Sequence, residues 1–507
     1  MTISELIKGL RVIKTEGSLD LQINGIACDS RAVREGFLFV AVRGYSVDGH
    51  QYIKDALDRG AAAIVAQQGA AMKAAEDAAG RAAYIEVPDS REALALISAA
   101  FYGHPSGRLS LVGITGTNGK TTTGFVVKNI IEAAGERAGL LGTICYMTGG
   151  RTESARNTTP ESLDMQRYLD EMARNNMKYA AVEVSSHALA LKRVEGCTFR
   201  VAAFTSFSQD HLDFHRTMDE YFEAKKRLFS YLAPGGTAVL NLDDPMIRPL
   251  AKGLRCNVIT CGTAEGAMIR AENIEELKSK SRDTGHAVPS GLSFDVLMKG
   301  ERFRIDSKLI GRFNVNNILV SIGVAHALGF GTDVIQNGIR SAKPVQGRLE
   351  NIDEGQDFLC IVDYAHTEDA LRKVLEEARR ITDGKVITVF GCGGDRDRTK
   401  RPLMGAAASE MSDRIIVTSD NPRSEEPMEI IKDITGGMRA GNYSIQPDRE
   451  RAIEEAVSMA GAGDTLLVAG KGHEDYQEIK GVRHHLSDRE ILRKALRKLS
   501  EGGKEQD

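Results

Sequence analysis

The chain has no CxxC pair, no long apolar run and no marked excess of charge of either sign. Its seven cysteines (28, 145, 197, 256, 261, 360 and 392) are scattered singly. That spacing excludes a disulfide framework and the common zinc patterns, and it fits reduced thiols in a cytoplasm. No stretch approaches the roughly 20 apolar residues that cross a bilayer, so no membrane insertion is expected. The opening MTISELIKGLRV lacks the apolar core of a signal peptide. A formal net charge of -4 removes the electrostatic case for a nucleic-acid partner. What remains is a cytoplasmic globular protein whose 507 residues are too many for one core, so two to four domains are expected.

Short apolar strands alternate with helical patterns along nearly the whole chain, the signature of α/β folding around parallel sheets. FLFVAV (37–42), AAAIVA (61–66) and AYIEV (83–87) belong to a first block. LSLVGIT (109–115), YAAVEVS (179–185), VAAFTS (201–206) and TAVLNLD (237–243) form a second. FLCIVDYAH (358–366), KVITVFGCGG (385–394), RIIVTSD (414–420) and DTLLVAGKGHE (464–474) form a third. The linkers FYGHPSGR and KPVQG hold the Pro and Gly of domain boundaries, which divides the chain into residues 1–100, 101–344 and 345–507. Ligands bind beyond the carboxyl ends of such strands. Those ends here carry Asp363 and His366, Gly393 to Arg396, Asp420 to Arg423, and Gly470 to Glu474; some of these would serve equally as turns.

The sharpest local signal is Gly113-Ile-Thr-Gly-Thr-Asn-Gly-Lys120-Thr121-Thr122, between a strand and a helical segment. Gly116 and Gly119 let backbone N–H groups approach phosphate oxygens, and the helix N-terminus adds positive charge. Lys120 suits the β- and γ-phosphates, and the Thr121 hydroxyl suits magnesium. Thr117, Asn118 and Thr122 complete an ATP-binding loop, although Ile114 replaces the glycine of the commonest form of the motif. Two further strand ends follow, one with Glu183, Ser185 and His187, the other with Asp210, His211 and Asp213. Taken singly, a strand-end Glu is a solvated or capping group and a lone His is seldom a ligand. Thr217-Met-Asp-Glu220 reads as a capping box opening a helix through YFEAKKRLFSYL. Lys225 on that helix reads either as a solvent-facing lysine or as something more specific.

The GTNGKTT form of the loop resembles the Mur ligases, which also include the folylpolyglutamate synthetases, and matching motifs run in order along essentially the whole chain. The resemblance implies a UDP-precursor-binding domain (1–100), a P-loop-type central ATPase domain (101–344) and a Rossmann-like, amino-acid-binding C-terminal domain (345–507). It implies ATP as co-substrate and Mg2+ held by Thr121, Glu183, His211 and Lys225, the last modified to a carbamate. The implied catalytic set is Lys120, Glu183, His211, Lys225, Arg348 and Asp363. Gly311 to Asn317 resembles the adenine segment, with Asn314 and Asn317 as contacts, though it also reads as an ordinary start of a helix. Arg348 would arrive on domain closure.

For the substrates, Ser30, Asn157, Thr158, Thr159, Ser185 and Arg193 match the region holding a UDP-linked muramoyl dipeptide. Ser30 also reads as a plain turn residue, and Thr159 before Pro160 as a helix N-cap. Asp420-Asn421-Pro422-Arg423 resembles the branch that adds meso-diaminopimelate, with Arg396, Gly470 and Glu474 completing that pocket. Diaminopimelate differs from lysine by a distal carboxylate, which a guanidinium holds and a lysine substrate would leave unpaired; a spare surface arginine is the plain alternative. The expectation is a monomeric ligase with small-molecule partners. A folate-type ligase and a non-catalytic nucleotide switch are the rivals.

Overall fold

Three successive sheets carry the chain in a computed structural model that describes residues 1–44, 47–70, 76–280, 287–439 and 441–502. The first sheet has five strands, ordered Lys14–Glu16, Ala83–Val87, Ala61–Gln67, Phe37–Val40, Gly25–Ala27. Only its edge strand Lys14–Glu16 runs antiparallel. The third has six strands, with Leu359–Asp363, Thr465–Ala469, Val386–Phe390 and Arg414–Val417 adjacent and parallel at its centre.

The central sheet has eleven strands, and Ser110–Thr115 lies between Tyr179–Glu183 and Phe199–Phe204, both parallel to it. Side chains alternate across a strand. Val112 and Ile114 therefore enter one core with Val126, Val127 and Ile130 of the following helix, while Leu111 enters the core on the opposite face with Leu141 and Val182. Burial on both faces explains why this strand reads as a continuous apolar run. The chain then proceeds outward on one side (Ala138–Leu141) before returning to place Phe199–Phe204 on the other. This reversal is a topological switch point, where α/β sheets bind ligands.

Three features depart from the sequence reading. The helix opened by Thr217, whose side chain accepts from Glu220 N, is α-helical only over Met218–Lys226 and tightens to a 3-10 turn over Arg227–Tyr231. The helix expected after Thr159 begins later, at Ser162–Arg174, with Glu161 at the cap position. Thr159 is thus no cap: its hydroxyl donates to Glu183 O (2.8 Å) and accepts from Ser185 N (3.0 Å), fastening its loop to a strand end. Antiparallel ribbon also extends the central sheet through Ile269–Lys280, Ala287–Met298 and Glu301–Ser307, and a hairpin pairs Tyr476–Ile479 with Val482–His485. No helix among the described residues is long and apolar enough to cross a membrane.

Candidate active site

The loop after Ser110–Thr115 turns into the helix Lys120–Ala133 through Gly119, whose φ of +85° is left-handed. A Cβ at Gly116 would stand 2.0 Å from Thr205 Oγ1, and one at Gly119 would stand 2.2 Å from Asn317 Oδ1. Only glycine permits so close a backbone approach in that conformation. Lys120 Nζ donates to Gly116 O and Thr117 O, both at 2.9 Å. Burial pushes its pKa down, and Glu183 opposes that shift. Ser206 bonds Asn118 through its hydroxyl to both backbone N (3.0 Å) and O (3.1 Å), which ties the loop to the next strand end.

Glu183 is fully buried at its strand end. Its carboxylate accepts from Thr121 Oγ1 (2.9 Å), Thr143 Oγ1 (2.8 Å) and Thr143 N (2.9 Å). Two hydroxyls and a carboxylate are the all-oxygen donors that suit a hard cation such as magnesium, so these residues fit that ion. Among the described residues no three His, Cys, Asp or Glu side chains gather into a metal set. Lys225 is 1% exposed, with Nζ 2.8 Å from Gly116 O and 4.4 Å over the Tyr221 ring. Burial, with Lys120 adding to it, drives its pKa well down. This overturns the solvent-facing reading of Lys225 and favours the neutral amine.

The third sheet closes over this loop. Arg348 Nη2 donates to Thr121 Oγ1 (3.2 Å), and its guanidinium lies 4.6 Å from the centre of the Tyr364 ring. Asp363 accepts Leu349 N and Ala365 N, both at 2.7 Å, and so shapes the loop that presents Arg348. Asp369 Oδ2 accepts from Asn118 Nδ2 (3.0 Å) and Ser208 Oγ (3.1 Å). Lys400 Nζ lies 3.4 Å from Asp210 Oδ1. Burial opposes ionisation of Asp210, yet Lys400, His211 and His366 hold its carboxyl well below the ordinary range. Glu368 sits in the first turn of Glu368–Ile381, where an acid suits the helix end, and pairs with Arg372.

Two cavities result. The first, about 270 Å³, is lined by residues 117–122, Thr143, Phe313, Asn316, Asn317, Arg348, Asp363 and Val374. The second, about 690 Å³, holds Asn157, Arg193, Arg396, Asp420, Asn421, Arg423, Gly470 and Glu474. Thr158, Ser185, His211, Tyr364 and His366 line both, so the two spaces share a wall. Burial pushes the His187 and His366 imidazoles down to about 4 and His211 well below its usual value, which makes them neutral near pH 7.

Not every expected residue lines a cavity. Asn314 is turned away, its amide donating to Ile310 O (2.7 Å) and its oxygen accepting from Asn317 (2.8 Å). Asn316, within the adenine-like segment but not singled out as a contact, lines the first cavity with a buried Oδ1 that has no partner among the described hydrogen bonds. Gly116, Glu183 and Lys225 stand behind the cavity walls, as do Thr159 and Pro422. Ser30, itself buried, starts a 3-10 turn in the first sheet's unit, capped by Asp29, and reaches neither space. Tyr364, Lys400 and Lys471 were also missed; the last lay in plain sight within GKGHE.

A phosphate loop at a switch point, facing a second polar cavity across a shared wall, defines a nucleotide-dependent α/β enzyme built from several sheets. Family models match in three segments: "Mur ligase family, catalytic domain" over 22–102, "Mur ligase middle domain" over 114–325, and "Mur ligase, glutamate ligase domain" over 347–472. The chain is 42% identical to the UDP-N-acetylmuramoyl-L-alanyl-D-glutamate--2,6-diaminopimelate ligase of Geobacter metallireducens, over 99% of this chain and 100% of that one. It is 45% identical to the protein of the same name from Solibacter usitatus, over 94% of each. A solved structure of a ligase with that name superposes with a TM-score of 0.66 at 31% identity, covering 99% of both chains. The chain belongs to the Mur ligase family.

Proposed function

We propose that the chain is an ATP-dependent ligase that joins meso-diaminopimelate to the D-glutamate side-chain carboxylate of UDP-N-acetylmuramoyl-L-alanyl-D-glutamate, releasing ADP and phosphate. It would act as a cytoplasmic monomer in peptidoglycan synthesis, and hence in cell shape and division. The observation that carries this reading is the shared wall: a carboxylate at Thr158 and Ser185 can meet a γ-phosphate from one side and an amine from the other. The charges of the second cavity support the choice of amine. Arg396 and Arg423 suit carboxylates, while Asp420 and Glu474 suit an ammonium.

In this reading the first sheet's unit, with Ser30, holds the uridine nucleotide. Asn157, Thr158, Ser185 and Arg193 hold the dipeptide, with Thr159 bracing them. Residues 116–122 hold the triphosphate, with Asn316 and Asn317 beside it. The precursor carboxylate attacks the γ-phosphorus, forming an acyl phosphate as the bond to ADP breaks. The amine then attacks the acyl carbon, phosphate leaves, and the amine's proton is lost to solvent or a nearby base. Lys120 and Arg348 offset charge on the transferring group, and closure of the third sheet's unit supplies proximity. Thr121 and Glu183, with His211 and a carbamylated Lys225 nearby, would hold magnesium, which would supply further neutralisation of phosphate oxygens. The carbamate would form when neutral Lys225 adds to carbon dioxide and loses a proton, turning an amine into an anionic oxygen donor.

The test offers purified protein the muramoyl dipeptide precursor, ATP, and diaminopimelate with lysine in competition. One new amide carrying diaminopimelate, with one phosphate released per bond, is expected. Preferential lysine incorporation, or phosphate release without ligation, refutes the reading. Lys120→Ala should abolish the product.

A further inference from the structure

Beneath the second cavity lies a buried lysine to which the mechanism above gives no role. Lys471 is 0% exposed, an unusual place for an ammonium unless it is paired. Its Nζ donates to Asn421 Oδ1 (3.1 Å) and to Glu474 Oε2 (3.2 Å), and lies 5.4 Å from the centre of the Tyr476 ring. Asn421 Nδ2 donates to the same Glu474 oxygen at 2.8 Å. Among the described hydrogen bonds none engages Glu474 Oε1, and Glu474 lines the cavity. Two donors on one oxygen thus set the carboxylate plane and leave the other oxygen toward the ligand space.

Asn421 is itself held in place. Its Oδ1 also accepts Glu478 N (2.9 Å), which ties it to the hairpin beside the cavity. Lys471 therefore joins three segments: the 420–423 loop, the 470–474 loop and the hairpin Tyr476–Ile479 with Val482–His485. Its charge matters as much as its bonds. Asp420 is buried and Glu474 half-buried, the charge of the first opposes ionisation of the second, and two carboxylates so placed do not both stay ionised without a cation. Arg449 is already engaged bidentately by Asp488 (2.7 and 2.8 Å). Arg423 also acts on Asp420, and among the described contacts Lys471 is the cation that bonds Glu474.

We infer that Lys471 is a positioning residue of the amino-acid cavity, one that orients Glu474 and keeps it ionised so that its free oxygen receives an ammonium of the incoming diamino acid. The inference rests on the ligase reading given above and adds to it the group that makes Glu474 competent. The charged and titratable groups facing Glu474 are Lys471, Asp420, Tyr364, Tyr476 and Arg449. Burial raises the Glu474 carboxyl above its ordinary value, and Lys471 is the largest opposing influence. Removing that cation moves Glu474 further toward the neutral acid, which cannot pair with an ammonium.

The test is the KM for meso-diaminopimelate in Lys471→Met between pH 6.5 and 9, with wild type as control for titration of the substrate amines. At pH 6.5 the variant's KM is expected to rise ~10-fold or more relative to wild type, narrowing toward ~2-fold at pH 9 as Glu474 ionises. The KM for ATP should stay within ~2-fold. Lys471→Gln keeps an amide donor for Asn421 without the charge, and should show the same recovery where the Met variant does not fold. A second Glu474→Gln change should add little and should abolish the recovery. A defect independent of pH, or an equal rise in the KM for ATP, makes Lys471 merely structural and overturns the inference alone. Wild-type protein that ligates no diaminopimelate overturns the ligase reading and this inference with it.

Discussion

Arg423→Ala separates recognition of diaminopimelate from everything else the site does. Arg423 sits at φ +52°, its backbone pinned by Glu478 O (3.0 Å) and Lys480 N (2.7 Å), and Nη1 donates to Gly394 O (2.6 Å). Alanine also carries a Cβ, so the backbone strain is unchanged and the substitution removes mainly the guanidinium. A charge-assisted hydrogen bond contributes about 1.5–3 kcal/mol. At 1.4 kcal/mol per decade that is roughly a 10- to 150-fold loss in kcat/KM for diaminopimelate. Lysine has no distal carboxylate, so its far lower kcat/KM should change by less than about threefold or improve, since a like charge is gone. Steady-state phosphate release at saturating ATP and precursor, with each diamino acid varied, measures both. An equal loss for the two amines, or a loss in the KM for ATP, would refute the assignment of Arg423 to the distal carboxylate.

Three other outcomes are expected. Lys225→Ala should lower kcat roughly 100-fold or more, the scale on which preorganised charge acts. Intact-mass measurement of wild type in bicarbonate should show the carbamate, and unaltered kcat in the variant would exclude the role. Asp488→Ala leaves the fully buried Arg449 without its partner, which should cost about 3–5 kcal/mol in urea unfolding; a loss below 1 kcal/mol would show that the pair is dispensable. His187, His215 and His366 are each pushed down to about 4, below their unfolded value near 6.5. The unfolded chain therefore binds more protons between those limits, so stability should fall as pH drops from 6.5 toward 4. A flat or rising thermal midpoint across that window would contradict the burial of these rings.

The candidate site was legible where its chemistry is local. Residues 116–122 need only a strand, two glycines and a helix start, all within one short segment, and the sheets preserve that order. The strand-end positions of Glu183, His211, Asp420 and Glu474 were legible for the same reason, because parallel strands deliver their ends to one edge. Asn316 was overlooked because a helix start presents only some of its first residues to a cavity, and which ones depends on the neighbouring sheet. Asp369 gave no local signal, since its partners Asn118 and Ser208 lie 251 and 161 positions away. The ribbon of Ile269–Lys280, Ala287–Met298 and Glu301–Ser307 escaped notice because its strands carry many charged residues and join the rest of the sheet only where Ile269 and Arg270 pair with Cys261 and Gly262.

From the order of its residues alone the chain determined its α/β class, its phosphate loop and the acids and bases at its strand ends, since those depend on hydrophobic period and short-range turns. Only the folded molecule decided that Lys225 is buried, that Ser30 stands apart, that two cavities share a wall and that Lys471 braces Glu474. Those facts follow from contacts between segments far apart in the chain. Burial and charge pairing come into being there only when the sheets pack, and no local pattern encodes them.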